Sequence, residues 1–534
     1  MGQDLHSWAR IYGGSNSDTA SSIQQTIDGG YIVAGRTGSF GAGYIDSWIL
    51  KLDSVGDIEW QHTYGGIDSD RASSIQQTTD GGYIVAGYTH SFGAGDNDYW
   101  ILKLTSNGDI EWQRTYGGTD GDKAYSIQQT SDGGYIVAGY THSFGAGDYD
   151  YLILKLSSIG DIEWQRSYGG NDHEEASSIQ QTSDGGYIVA GYTWSYIAGY
   201  LDIWILKLTS SGNIEWQRTY GGTNGDKAYS IQQTSDGGYI VTGIFGYSGF
   251  MEILSCDFWV LKLSSSGDIE WQRTYGGSST PGHVRENCAY SIQQTSDGGY
   301  IVAGSTWSFG AGWHDFLILK LTSSGDIEWQ RTYGGTDGDK AYSIQQTLDG
   351  GYIVAGYSES FYVPRRPYKI DILVLKLSSS GEILYFPEIV VGITTVTVSD
   401  TSITPQDTYI VPQEINITPQ DTNIIPQNSN ARESWLFSLP LNFTGKMELN
   451  RSLSQAEYIN VLTWEANPNN EDLNIVKYRI YQVEGESQSL LVELNAGTFK
   501  YWHRNVEKDK EYAYVIVAVN DDGGEGVPAY VKVQ

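Results

Sequence analysis

Residues 126–141 read SIQQTSDGGYIVAGYT, and the same phrase recurs six more times along the chain with small changes. SIQQT itself is kept in all seven copies. The DGG between the two halves favours a tight hairpin turn, because glycine accepts a positive φ angle at no steric cost. The phrase therefore predicts two antiparallel strands joined by a short turn, repeated along the chain.

The copies follow each other at a nearly constant distance. The aspartate of DGG recurs every 52 residues, except for one step of 61. A period near 50 residues is typical of solenoids and propellers. Each copy continues with WILKL and DIEWQRTYGG, which read as two further strands. The sequence thus predicts an all-β fold in which residues 1–388 form a seven-bladed β-propeller of four-stranded antiparallel blades.

The two ends of the repeat region indicate how the ring closes. The first residues, LHSWARIYGG, match the fourth strand of a copy, and Trp8 aligns with Trp60. The seventh copy leaves the pattern after its third strand, at GEILYFPE. We therefore expect the N-terminal strand to complete the last blade.

The combination of YIVAGYT, ILKL, EWQ and YGG at this spacing resembles the bacterial seven-bladed propeller repeat known as the SBBP repeat. The resemblance covers residues 1–388 and implies a propeller fold and a tendency to export. It brings no catalytic residues. A weaker similarity exists to quinoprotein repeats, in which a glycine precedes a blade-docking tryptophan by four positions, as Gly56 precedes Trp60.

Two further regions follow the repeats. Residues 389–434 form a Pro/Thr/Ile-rich linker, predicted to be an extended stalk or a strap along the propeller's side, in which Pro-Gln recurs every seven residues. Residues 435–534 resemble a fibronectin type III domain, an immunoglobulin-like β-sandwich. The resemblance implies that Trp464 is the core tryptophan and Tyr512 the tyrosine-corner residue.

Charge limits the choice of partners. The chain carries 64 acidic and 32 basic residues, a formal net charge of −32, which repels nucleic acid and anionic lipid. No apolar run reaches membrane-spanning length, so membrane insertion is not expected.

The start, MGQDLHSW, lacks signal-peptide features. Either the protein stays inside the cell, or a leader has been removed; the prediction is an extracellular or cell-surface location.

Most differences between copies fall on one side of the predicted disc. This variable face carries the connections from fourth to first strand and from second to third strand. Loops on a rigid scaffold commonly carry binding residues, and exposed aromatics suit recognition; neutral drift is the alternative. The predicted ligand-binding residues are His90, His142, Tyr149, Trp194, Tyr200, Tyr247, Trp307, Trp313, Arg365 and Arg366.

Cysteines and acidic residues suggest two other features. Cys256 and Cys288 lie in unusual loops of adjacent copies and are predicted to form a disulfide, which would imply an oxidising compartment. One aspartate recurs before the third strand, as in Asp46 and Asp98, and an acidic or amide residue follows YGG, as in Asp70 and Asp122. These positions are candidate calcium ligands, but turn hydrogen bonding explains them better, so no cofactor is predicted.

Catalytic motifs are missing from the sequence. It contains no HExxH, P-loop or sialidase-type Asp box. We therefore expect a non-enzymatic recognition or adhesion protein whose monomeric propeller presents the variable face to a glycan or a protein. Two alternatives remain open: a quinoprotein- or lactonase-like enzyme with a site at the axial mouth, and a structural spacer of a surface layer.

Overall fold

The structure, a computed structural model, is built from β-strands. It describes residues 7–196, 200–247, 255–276, 285–310, 312–361, 370–383, 390–393, 397–400, 406–407, 413–414, 420–421, 427–428, 433–434, 441–451, 456–465, 475–484, 487–507, 510–520 and 529–533. No helix occurs in these ranges, and hence none that could cross a membrane. The chain divides into two compact units, Met1–Glu433 and Ser434–Gln534.

Four-stranded antiparallel sheets repeat along the first unit and give it a propeller-like fold. Strand β1 (Trp8–Tyr12) comes first. The first three sheets that follow it consist of β2 (Asp18–Gln25), β3 (Tyr31–Thr37), β4 (Asp46–Leu52) and β5 (Ile58–Tyr64); β6 (Asp70–Gln77), β7 (Tyr83–Thr89), β8 (Asp98–Leu104) and β9 (Ile110–Tyr116); and β10 (Asp122–Gln129), β11 (Tyr135–Thr141), β12 (Asp150–Leu156) and β13 (Ile162–Tyr168).

The remaining sheets have the same order. They consist of β14 (Glu174–Gln181), β15 (Tyr187–Thr193), β16 (Asp202–Leu208) and β17 (Ile214–Tyr220); β18 (Gly225–Gln233), β19 (Tyr239–Tyr247), β20 (Ser255–Leu263) and β21 (Ile269–Gly276); β22 (Arg285–Gln294), β23 (Tyr300–Thr306), β24 (Asp315–Leu321) and β25 (Ile327–Gly334); and β26 (Asp339–Gln346), β27 (Tyr352–Ser358) and β28 (Asp371–Leu377). The last group is completed by β1, which pairs antiparallel with β28 from Trp8 opposite Lys376 to Tyr12 opposite Ile372.

The two middle strands of each sheet are apolar on both faces. All seven residues of β8 are buried, and so are those of β12. Ile84 and Tyr99 of one sheet share a core cluster with Val137 and Leu152 of the next. A sheet that is apolar on both faces must be covered on both, and here the covering layers are its neighbours.

A repeated hydrogen bond fixes adjacent sheets to each other. The tyrosine of YGG donates from its hydroxyl to the carbonyl of the glycine in the next sheet's third-to-fourth-strand turn. The donors and acceptors are Tyr12 to Gly56, Tyr64 to Gly108, Tyr116 to Gly160, Tyr168 to Gly212, Tyr220 to Gly267, Tyr275 to Gly325, and Tyr333 to Gly381. Because the series includes the contact between β1 and the first sheet, every junction is made in the same way.

The segment after the repeats adds a further short strand to the edges of these sheets. Its strands are β29 (Val390–Ile393), β30 (Thr397–Asp400), β31 (Gln406–Asp407), β32 (Gln413–Glu414), β33 (Gln420–Asp421), β34 (Gln427–Asn428) and β35 (Glu433–Ser434). They stand next to β25, β21, β17, β13, β9, β5 and β1, in that order. The segment therefore passes the sheets in the reverse of their order along the chain.

The register of this segment follows the Pro-Gln period. Gln406 pairs with Thr219, and Gln413, seven residues later, pairs with Ser167, 52 residues earlier. The same steps lead to Gln420 and Gln427, opposite Thr115 and Thr63. An edge strand leaves backbone N–H and C=O groups unpaired, and the added strands pair part of them.

The second unit consists of two antiparallel sheets. One sheet contains β36 (Leu441–Arg451), β37 (Ala456–Glu465) and β40 (Lys500–Val506); the other contains β38 (Ile475–Glu484), β39 (Ser487–Asn495), β41 (Tyr512–Asn520) and β42 (Ala529–Val533). Trp464, Tyr478, Tyr512 and Ile516 share one buried core cluster, which draws on both sheets.

The predicted disulfide is wrong. The Sγ atoms of Cys256 and Cys288 are 3.9 Å apart, a hydrogen-bonding distance, whereas a disulfide bond measures about 2.05 Å. Both thiols are buried, and the hydrogen bond with Cys288, together with burial, raises the pKa of Cys256. The oxidising compartment inferred from a disulfide loses this support.

The junction tyrosines give a first prediction. Tyr116→Phe removes a buried hydroxyl donor, so the Gly160 carbonyl loses this hydrogen bond. We expect the free energy of unfolding to fall by about 1–2 kcal/mol. Urea titration followed by tryptophan fluorescence measures the change. Tyr44→Phe, at a side chain that is 80% exposed, is the control and should leave stability unchanged. Equal effects of the two substitutions would show that the junction bond contributes nothing specific.

Candidate functional site: an axial pocket and its aromatic rim

A cavity of ≈ 410 Å³, here called the axial pocket, lies where the innermost strands of the sheets converge. Each of β2, β6, β10, β14, β18, β22 and β26 contributes at least one lining residue. A cavity of this volume is in the usual range of small-ligand sites. A second cavity, lined by the Ile and Gln of SIQQT from every copy, lies further along the same strands.

The axial pocket opens on the variable face. Its lining residues, such as Thr19 and Ser21, come from the beginnings of the inner strands. Asp18 at the start of β2 pairs with Thr37 at the end of β3. The connection that leaves β3 therefore starts from the same end as the pocket.

The inner strands, otherwise constant, differ from copy to copy at two positions, and Arg71, Glu175 and Tyr125 are examples of these variable residues that line the pocket. The second residue of the inner strand motif is Thr19, Arg71, Lys123, Glu175, Lys227, Cys288 and Lys340. The fourth is Ser21, Ser73, Tyr125, Ser177, Tyr229, Tyr290 and Tyr342. These residues were not among the predicted binding residues, because they lie inside strands that otherwise repeat and not in the variable loops. Variation confined to two sites of a repeated strand was the signal that could have found them.

One side of the pocket is cationic. Arg36 donates from Nε to Thr19 Oγ1 at 2.9 Å, and burial and the nearby Arg71 lower the pKa of Arg36. The Arg71 guanidinium lies 5.8 Å from the centre of the Tyr88 ring, and Lys123 Nζ lies 4.8 Å from the same ring. Three adjacent sheets thus place cations around one tyrosine.

The neighbouring fourth and fifth sheets add a carboxylate, a lysine and aromatic side chains. Glu175 Oε2 accepts a hydrogen bond of 2.8 Å from the Tyr192 hydroxyl and lies 3.6 Å from His173 Nε2. Burial and Glu175 raise the pKa of Tyr192. Lys227 Nζ lies 4.1 Å from the centre of the Tyr192 ring. The pocket is therefore lined by two arginines, one carboxylate and several tyrosines.

The predicted binding residues of copies three and four come together beside this pocket. His142 stacks on Tyr149 at 4.8 Å, Tyr149 lies 4.4 Å from His173, and Trp194 lies 5.1 Å from Tyr200, all between ring centres. His173, which the sequence analysis did not select, also lies 6.0 Å from Trp194 and so joins the two pairs. We call these five residues the first aromatic patch.

A second aromatic patch lies in copy six. Trp307 and Trp313 stack with their ring centres 6.0 Å apart and an interplanar angle of 13°, and His314 lies 5.1 Å from Trp307. Trp313 is 67% exposed, so one indole face is open to a ligand.

Of the other predicted binding residues, His90 belongs to neither patch, and three lie wholly or partly outside the described structure. His90 is exposed, and its backbone N–H donates to the Ser69 carbonyl at 3.0 Å. Tyr247 ends β19, but its side chain is outside the described part of the structure. Arg365 and Arg366 lie outside the described residues altogether.

The candidate calcium ligands accept hydrogen bonds from nearby backbone and side chains. Asp98 Oδ2 accepts N–H bonds from Ala94 at 2.7 Å and Gly95 at 3.2 Å. Asp122 Oδ2 accepts from the Gly118 N–H and the Ser143 hydroxyl, both at 2.8 Å. The described residues contain no group of three or more His, Cys, Asp or Glu side chains placed to hold a metal ion.

The two aspartates nevertheless face each other. Asp98 is 1% exposed, and its Oδ1 has no hydrogen-bond partner. Burial and, to a smaller extent, the nearby Asp122 carboxylate raise the pKa of Asp98 to about 6. In copy six the second acid is replaced by Asn287, whose Nδ2 donates to Asp257 Oδ1 at 3.0 Å. The amide supplies the hydrogen that an acid pair lacks when both members are ionised.

Comparison with known proteins gives distant similarities. The sequence matches no protein-family model. Over 200 residues it is 26% identical to the regulatory protein FlaEY of Caulobacter vibrioides, a match that covers 34% of this chain and 20% of FlaEY. The endo-1,5-alpha-L-arabinanase of Thermotoga petrophila RKU-1 is 11% identical, over 68% of this chain and 98% of that one, with a TM-score of 0.25. A GH43_12 protein from a capybara gut metagenome is 10% identical, over 76% and 88%, with a TM-score of 0.27.

These neighbours correct one expectation. The expectation of a non-enzymatic protein is corrected: the solved structures with distant similarity to this chain include an arabinanase and a GH43_12 protein, so the missing motifs do not exclude an enzyme. The prediction rested on missing short motifs, but a site assembled from side chains of several sheets leaves no contiguous motif. At about 10% identity the similarity assigns no reaction to this chain.

The acid pairs give a second prediction. A pKa raised in the folded state means that the native protein binds the proton more tightly than the unfolded chain. The resulting stabilisation is complete below about pH 4 and is lost as the pH rises through about 6. Asp98→Asn should place an amide donor against Asp122 and raise the free energy of unfolding at pH 8 by about 1 kcal/mol or more.

Urea unfolding at pH 8 and pH 4.5 measures this effect. The gain from Asp98→Asn should shrink at pH 4.5, where the wild-type pair holds its own proton. Asp96→Asn removes an exposed carboxylate from the same loop and should change stability little at either pH. A loss of stability in Asp98→Asn at pH 8 would contradict the view that the two ionised carboxylates lack a hydrogen between them.

Proposed function

We propose that residues 1–388 form a seven-bladed β-propeller closed by the N-terminal strand, and that residues 435–534 form a fibronectin type III-like sandwich. The pairing of β1 with β28 and the repeated tyrosine–glycine bond at every junction support the first assignment. The two sheets around Trp464 and Tyr512 support the second, and the Tyr512 hydroxyl accepts a hydrogen bond of 2.9 Å from the Glu507 N–H.

We propose that the protein recognises a glycan on its variable face, with the axial pocket and the two aromatic patches as the binding surface. The stacked pair of Trp307 and Trp313 is the observation that carries this proposal. Exposed, contiguous aromatic surface is rarely left on a soluble protein without a partner. Flat aromatic rings offer an apolar platform on which a sugar ring can lie.

The surroundings of the patches favour a sugar over an extended apolar protein segment. Trp194 and Trp307 are each 38% exposed and stand among histidines and tyrosines, which offer hydrogen-bond partners at the edge of the platform. A mixture of a few aromatic faces with polar groups fits a ligand rich in hydroxyls. A protein ligand is the competing outcome of the test.

We propose further that the protein acts outside the cell or on its surface, as a monomer. The strong net negative charge supports the expectation that it binds neither nucleic acid nor anionic membranes.

A glycan array probed with the full chain tests the proposal. We expect selective binding that falls at least tenfold in Trp307→Ala and in Trp194→Ala, because truncation of a central aromatic contact commonly costs more than 1 kcal/mol. Isothermal titration with the best array ligand quantifies the loss.

Trp502→Ala is the matched control. Trp502 is 47% exposed but belongs to β40 of the second unit, so its removal should leave binding unchanged. Thermal unfolding of all variants checks that each is folded. Failure to bind any glycan, or equal loss in Trp502→Ala and Trp307→Ala, would contradict the proposal, as would binding of a protein ligand alone.

A further inference from the structure

We propose that the axial pocket binds the anionic group of an acidic sugar through Arg36 and Arg71. This inference rests on the proposed function, which it narrows from glycans in general to glycans that carry a carboxylate or sulfate. The pocket would seat the charged residue, and the aromatic patches at its rim would hold the neighbouring sugars.

The two guanidiniums are held close without a neutralising carboxylate. Neither Arg36 nor Arg71 forms an ion pair with any acid of the described residues. The groups that act most on Arg36 are burial, Arg71 and surrounding tyrosines. Arg71 Nε is buried and has no hydrogen-bond partner. Partly buried like charges repel each other, so the free site carries an electrostatic cost that a bound anion would remove.

The tyrosine between them explains only part of this arrangement. Arg71 and Lys123 both lie over the Tyr88 ring, at 5.8 and 4.8 Å, and cation–π attraction stabilises such contacts by about 1 kcal/mol. Arg36 donates from its Nε to Thr19, whereas the buried Nε donor of Arg71 has no hydrogen-bond partner. Guanidinium groups bind carboxylates and sulfates through paired N–H bonds, which a tyrosine face cannot replace.

The charge of the whole protein makes this cluster unusual. The net charge is −32, yet four of the seven variable residues at the second inner-strand position are basic and one is acidic; of these five, Arg71 and Glu175 line the pocket. The acid, Glu175, accepts a hydrogen bond from the Tyr192 hydroxyl and stands near Lys123 and Lys227. A cationic pocket in an acidic protein creates a local positive electrostatic potential, which attracts an anion.

The shape of the pocket suits a sugar ring with a charged edge. Arg36 and Arg71 form one wall, and the Tyr125, Tyr229 and Tyr290 side chains stand on other inner strands around the cavity. In a space of ≈ 410 Å³ the anionic group can reach the guanidiniums while the ring lies near the tyrosines.

Paired ligands test the inference on the full chain. The array should contain each uronic-acid oligosaccharide beside its neutral methyl ester, and each sulfated oligosaccharide beside its desulfated form. We expect the acid of a pair to bind at least tenfold more tightly than its neutral form, with an affinity that falls as NaCl rises. Preference for carboxylates or for sulfates identifies the source of the anion, and either supports the inference.

Arg71→Gln and Arg36→Gln should each weaken binding of the acid about tenfold or more and leave binding of the neutral form unchanged, because each removes a charge-assisted hydrogen bond. Arg114→Gln is the control. Arg114 stands on the outer strand β9 and pairs with Asp161, so acid binding should persist without it. Urea unfolding confirms that the variants fold.

The failures can be told apart. If neutral glycans bind as well as acidic ones and the binding depends on Trp307 but not on Arg71, the anion site is overturned and the proposed function stands. If no glycan binds, both fail. If acids bind but Arg71→Gln and Arg36→Gln have no effect, the assignment to this pocket is overturned.

Discussion

Burial of both faces of every four-stranded sheet is the constraint on which the first unit depends. The middle strands β8 and β12 have no exposed residue, so a sheet alone would leave two apolar faces in water. Neighbouring sheets cover each other, and the tyrosine–glycine bond sets their distance and angle at each junction. Because β1 supplies the last outer strand, the first and last sheets meet like any other pair. Within the described part of the first unit each sheet packs between two neighbours, and the inner strands are forced toward a common axis.

This arrangement makes the few residues that break the repeat important. Constant residues such as Gln24 line the channel and serve the scaffold. The beginnings of the same strands hold Arg71 in one copy and Glu175 in another, at equivalent positions. A small change in one copy therefore alters one wall of a shared pocket without disturbing the fold. The rim is altered in the same way, since Trp194 and Trp307 occupy matching positions of different copies. A symmetric scaffold thereby gains an asymmetric binding surface.

The segment after the repeats shows how a simple period can match a ring. Gln406 and Gln413 are seven residues apart and pair with Thr219 and Ser167, which belong to adjacent sheets. Seven residues of this segment therefore span the distance from the outer strand of one sheet to that of the next. Covered edges are also protected from pairing with other chains, a known liability of exposed strands. The Pro-Gln period was visible in the sequence. The strands with which it pairs were not, because pairing between residues so far apart leaves no local signal.

The sequence by itself determined the repeated antiparallel strands, their order and the turns between them, since alternation and glycine turns are local properties of the chain. It also indicated that Trp194, Trp307 and Trp313 are exposed, which the structure shows. Only the tertiary structure decided which side chains meet. It brought Arg36 to Arg71 from different sheets, joined His173 to Tyr149, and kept the sulfur atoms of Cys256 and Cys288 apart. Such contacts depend on the angle between neighbouring sheets, and that angle arises from packing across the junctions and not from any stretch of sequence.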